Sequence, residues 1–200
     1  MNVGDLSDLA LGQVPARIIA ALAGTSSSMT IRQLAKVSQV SFASTQHWVN
    51  HWATRGVIDQ QTAGRAILCS LNREHFTTAS LLTLAEPRKA MVDRIAAEVA
   101  GWSAPVLNVT AFGSFARADG TPESDIDLLV IHDTRDTNAF IDQLIISAAR
   151  LERVLGNSIQ WIQYRDTQWR QMTEQEDPLV AEVRRDAIHI FGEYLTLLDS

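Results

Sequence analysis

GSFARADGTPESDIDLLV, Gly113 to Val130, lies between two β-rich apolar runs, Val106 to Phe112 after Pro105 and Ile126 to Ile131. It places Gly-Ser at the end of one expected strand and, after ten intervening residues, Asp125-Ile-Asp127 at the opening of the next. Residues two apart on a strand project to the same face, so Asp125 and Asp127 can share Mg²⁺ ions that bridge phosphate oxygens, which one carboxylate alone could not do. Gly113 lets backbone amides approach a phosphate. Ser114 opens a helix through about Arg117, adding a hydroxyl and a positive helix end. Taken singly, a Gly-Ser or an Asp-x-Asp reads as a turn or a pair of solvated acids; the information lies in their combination at this spacing between two strands.

G-S-x10-D-x-D resembles the signature of the DNA polymerase β-like nucleotidyltransferases. GSFAR followed by SDIDLLV looks like the minimal branch found in bacterial toxin–antitoxin modules and antibiotic adenylyltransferases, over about residues 88 to 192. The resemblance implies an NTP with Mg²⁺ as cofactor, Asp125 and Asp127 as catalytic and metal residues, and Gly113, Ser114 and Arg117 as nucleotide-binding residues. Arg117 reads equally as a structural ion pair, and Ala118 replaces the usual glycine. Downstream, Phe140 to Leu155 has helical spacing and leads to the strand Ile159 to Tyr164. There Gln160 stands where related sequences carry a third carboxylate and Gln163 occupies the next polar slot; a glutamine cannot act as a general base. Asp166, just past the strand, reads as a helix start. Leu179 to Arg185 and Ala187 to Gly192 resemble the closing helix and strand of this branch.

Toward the N-terminus, Val14, Ile18, Ile19 and Leu22 have helical spacing, and Thr30 with Gln33 forms a capping box before Ile31, Leu34 and Val37. Phe42, Thr45, Val49 and Trp52 then mark the buried face of a third helix, stopped by Gly56. Val57 to Asp59 and Ala66 to Cys69 read as short strands around a turn, Gln60 to Arg65. Across about residues 12 to 72 this order resembles the winged helix-turn-helix of MarR- and ArsR-type regulators. It implies double-stranded DNA as partner, with Ser44, His47, Asn50 and His51 facing bases or phosphates and Arg55 and Arg65 near phosphates. The alternatives are a protein-contact module and, for His47 and His51, either a solvated pair or one edge of a metal site. Trp48 and Trp52 read as packing residues.

The expected architecture is α+β. Residues 1–78 form a winged helix-turn-helix domain, 79–104 a linker helix through Met91, Ile95, Val99 and Trp102, and 105–200 a mixed-sheet nucleotidyltransferase domain. The net charge of -6 is uneven. Residues 1 to 78 carry six Lys/Arg against four Asp/Glu, and the remainder eleven against nineteen, so nucleic-acid contact belongs to the N-terminal part. A single cysteine, Cys69, excludes an internal disulfide and a cysteine zinc cluster. The absence of a long apolar run and of a basic-then-apolar start implies a cytoplasmic protein with no membrane partner.

Three functional readings follow. One is a Mg²⁺-dependent enzyme moving NMP from an NTP to a hydroxyl of RNA, protein or a small molecule. Another is a DNA-binding regulator, expected as a homodimer because paired half-sites need a two-fold partner, whose second domain binds NTP-Mg without turnover. The third is an antitoxin-like partner of a HEPN-type toxin.

Overall fold

The computed structural model describes residues 10–120, 124–135 and 137–198. They cluster as two compact units that meet between Ala90 and Met91.

The first unit runs α1 (Gln13–Ala23), β1 (Met29–Thr30), α2 (Ile31–Ser38), α3 (Phe42–Ala53), β2 (Ile58–Ala63), β3 (Ala66–Leu71) and α4 (Thr78–Ala85). Thr30 caps α2 reciprocally: its hydroxyl accepts from the Gln33 N–H at 3.2 Å and its own N–H donates to Gln33 Oε1 at 2.9 Å. Gln39 ends that helix in the left-handed region, and the Ser41 hydroxyl caps α3 through the Ser44 N–H. The strands form an antiparallel sheet in the order β1-β3-β2. Ile18, Ile19, Leu22, Leu34, Val49, Trp52, Ile58 and Cys69 form the core between helices and sheet.

Two expected core residues point outward. Val37 is 60% and Phe42 48% exposed. The buried stripe of α2 is Ile31, Leu34, Ala35 and Ser38, at i, i+3, i+4 and i+7, which leaves Val37 off its edge. Ser38 is tolerated there because its hydroxyl donates to the Leu34 carbonyl at 2.7 Å. The hairpin is tighter than expected. Its ladder continues to Ala63 opposite Ala66, so only Gly64 and Arg65 turn, with Gly64 at φ 61° supplying the positive dihedral of a two-residue loop. Strand β1 was too short to leave a periodic signal. The stretch 79–104 contains two helices, because Glu86 precedes Pro87 and leaves the helical region at φ -123°, ψ 57°. Helix α4 packs on α1 and buries Ala85 in the first core.

Helix α5 (Pro87–Ala100) leads into the second unit. There follow β4 (Val106–Phe112), α6 (Gly113–Arg117), β5 (Ile126–His132), α7 (Thr137–Leu155), β6 (Ile159–Arg165), α8 (Asp166–Glu174), α9 (Pro178–Asp186), β7 (Ile188–Gly192) and α10 (Leu195–Leu198). The three strands expected here share one mixed sheet, ordered β6-β5-β4-β7, with β5 and β6 parallel and the other pairs antiparallel. Helix α7 is the crossover that parallel pairing requires. Phe112, Leu129 and Ile131 pack on one sheet face with Trp169, Val180, Val183, Leu195 and Leu198. Strand alternation turns Leu128 and Val130 to the other face, where Trp102 contacts Phe140 and Trp161.

Candidate functional site

Gly113 and Asp127 define one end of the sheet. Asp127 is the Cα partner of Phe112, so the chain leaving β4 passes directly over the Asp127 carboxylate. Gly113 has φ 68°, and a Cβ built on it would lie 2.7 Å from Asp127 Oδ2. Only glycine meets both demands, a left-handed backbone and no side-chain volume. The helix that follows is a single short turn and a half. It ends at Ala118, also left-handed at φ 62°, the position where the resembled family has glycine.

Asp125 precedes β5 by one residue and is exposed, while Asp127 is half-buried on the strand. Burial raises the Asp127 carboxyl above the usual range, the neighbouring Asp125 and Glu182 carboxylates raise it further, and Arg117 opposes them. This is a crowded acidic locus that a cation would relieve. Both donors are hard carboxylate oxygens, and among the described residues no group of three His, Cys, Asp or Glu could close a metal cage. Two carboxylates with the remaining positions left to phosphate and water match the way Mg²⁺ is bound, so the residues present fit that ion.

Gln160 is the Cα partner of Asp127 on β6 and shares its sheet face. Asp166 lies at the far end of β6, six residues on and roughly 20 Å away along the strand. Its carboxylate accepts from Arg170 Nε at 3.0 Å in the first turn of α8, as expected of a helix start. Arg117 bridges α6 to α9: its Nε donates to Asp119 at 2.9 Å and its Nη1 to Asp186 at 2.7 Å. Arg185 also grips Asp186, and the two guanidiniums, Arg185 first, pull that carboxyl down to about 2. Glu182 was not picked out from the sequence. The available signal was its place one helical turn before Asp186, on the same face of α9.

In the first unit, His47 and His51 stack with ring centroids 6.4 Å apart on the exposed side of α3. Asn50 Oδ1 accepts from Gln60 Nε2 at 3.2 Å. The Ser44 hydroxyl accepts from Ser41 at 2.9 Å, and Arg55 donates to the His51 carbonyl at 2.9 Å. Arg65 sits apart from them at the hairpin turn.

Gly113, Asp125, Asp127 and Gln160 thus gather at one end of the sheet. Residues 93–184 match the family model of the nucleotidyltransferase domain. The matched segment holds Gly113, Ser114, Arg117, Asp125, Asp127 and Gln160. Among solved structures the chain is similar to a toxin–antitoxin with AMP-PNP, at 17% identity over 54% of this chain and 80% of that one, TM-score 0.39. It is also similar to the toxin–antitoxin MntA-HpeT mutant Y104A, at 20% identity over 53% of this chain and 77% of that one, TM-score 0.36. No curated protein matches. Among the described residues, no helix is long and apolar enough to cross a membrane.

Proposed function

We propose that residues 105–200 bind an NTP with Mg²⁺ and transfer its NMP to a hydroxyl of RNA, protein or a small molecule, and that residues 1–78 form a winged helix that brings a homodimer to double-stranded DNA. The observation that carries the first half is the Gly113–Asp127 approach, because a merely structural turn has no need to press a glycine backbone against a carboxylate. In this reading Asp125 and Asp127 hold Mg²⁺, while Gly113 and Ser114 line the triphosphate. Arg117, held by Asp119 and Asp186, supplies positive charge near Asp127 and is the cation this reading assigns to the triphosphate. When bound, Mg²⁺ supplies the positive charge that makes the α-phosphorus attackable and pyrophosphate a competent leaving group. Gln160, in the row of Asp127, can donate or accept a hydrogen bond to an acceptor hydroxyl but cannot take its proton.

That same Gln160 supports a second reading, an NTP-Mg sensor without turnover. Incubation with α-labelled NTPs, Mg²⁺, total tRNA and lysate separates the two. Label transferred to an acceptor supports the enzyme, while Mg²⁺-dependent binding with no transfer decides for the sensor.

A further inference from the structure

Helix α7 carries two stripes. Phe140, Leu144, Ser147, Leu151 and Leu155 are buried. On the opposite side Asp142, Ile145, Ile146, Ala149 and Arg153 recur at i, i+3, i+4, i+7 and i+11, and all five are exposed. Ile145 is 62% and Ile146 50% exposed, with Ala149 one turn beyond Ile145, and a contiguous apolar patch of this kind marks a contact surface.

We propose that this outer stripe pairs with the same stripe of a second copy of the chain, the two α7 helices running antiparallel about a two-fold axis that passes between Ser147 and Ala148. The pairing rests on the homodimer reading above and gives that dimer its contact surface.

Charge selects the occupant. The charged residues of α7 are Asp142, Arg150, Glu152 and Arg153. Glu152 Oε1 accepts from the Ile159 N–H at 3.0 Å, and Arg150 Nη1 lies 3.5 Å from Glu98 Oε1. Asp142 and Arg153 make no ion pair among the described residues and stand at the two ends of the stripe. They share one side of the helix because eleven residues complete about three turns, and each is about 8 Å from the axis at 1.5 Å per residue. An antiparallel two-fold therefore sets Asp142 against the partner's Arg153 and Arg153 against the partner's Asp142. Between these ends, Ile146 meets the partner's Ala149, whose small side chain lets the helices approach.

A parallel pair would oppose Asp142 to Asp142 and Arg153 to Arg153, and would add repulsion between the aligned helix dipoles. Self-complementarity under one rotation is what an isologous contact requires, and an unrelated partner has no need of it. At 19 residues α7 is about 28 Å long, which places the pair at the small end of specific interfaces, so the dimer should dissociate with a Kd of about 1–100 μM.

The test is sedimentation velocity of the full chain over a concentration series spanning that range. Wild type should pass from monomer to dimer. Asp142→Arg and Arg153→Asp should each raise Kd at least about tenfold, because each change puts like charges at both ends of the seam. Mixed in equal amounts, the same two variants should associate with a Kd near that of wild type, since both ends of the mixed pair again join opposite charges. Ile145→Glu should remain monomeric throughout the series, and Val154→Glu, about 100° around the helix from Arg153, should dimerise as wild type does. Thermal melts check that each variant is folded. Dimers that persist in Asp142→Arg, Arg153→Asp and Ile145→Glu, or a mixture of the two charge variants that fails to recover association, overturn this placement and leave the homodimer reading standing. Wild type that stays monomeric across the series overturns both.

Discussion

Asp127 and Gln160 stand opposite each other across the parallel β5–β6 ladder, Cα partner to Cα partner, with their side chains on one face of the sheet. A carboxylate at residue 160 would therefore be added directly to the acidic locus. Gln160→Asp is expected to raise label transfer from α-labelled NTP in Mg²⁺ and to lower the melting temperature in EDTA, because like charges on neighbouring strands repel. Unchanged melting in EDTA would separate residue 160 from the site.

Asp127 carries the converse expectation. Its folded carboxyl is raised above the unfolded value, so the folded state holds the proton more tightly and stability falls as pH rises through the folded pKa. Asp127→Asn should therefore melt higher than wild type at neutral pH without Mg²⁺. The paired change Asp125→Asn with Asp127→Asn should abolish the Mg²⁺ dependence of NTP binding in calorimetry. Transfer activity that survived the paired change would remove both residues from the metal role.

Gly113→Ala should be costly for two reasons, a left-handed alanine at about 1–2 kcal/mol and a methyl group in the place of Asp127 Oδ2. Urea unfolding should show a loss of at least that size, with NTP binding reduced alongside. Stability close to wild type would mean that the β4 exit can move away from Asp127.

Ala118→Gly tests the same physics in reverse. Ala118 ends α6 at φ 62°. Glycine there should stabilise the fold by about 0.5–1 kcal/mol in urea unfolding, the relief of strain exceeding the added chain entropy.

The α6–α9 bridge has its own pH signature. Asp186 is lowered from 3.8 to about 2, so its stabilising contribution is present above pH 4 and is lost as the pH falls from about 4 to 2. Asp186→Asn should melt lower than wild type at pH 6 and should narrow that difference by pH 2.

Much of this molecule is local and therefore legible in its chain. Strand alternation in Val106 to Phe112 and Ile126 to Ile131, the Thr30–Gln33 capping box, and the Gly-Ser and Asp-x-Asp spacing all depend on residues a few positions apart, where backbone sterics and side-chain periodicity act directly. The departure at Gln160 was visible for the same reason. Tertiary structure decided what needed distant partners. The parallel β5–β6 register set Gln160 beside Asp127 and left Asp166 at the other end of the strand. Arg117 met Asp186 only because α9 returns over α6, 69 residues later. Phe42 and Val37, apolar at helical spacing, stayed outside the core because burial is settled by the elements that pack on a helix, and periodicity within one helix does not encode which face they will cover.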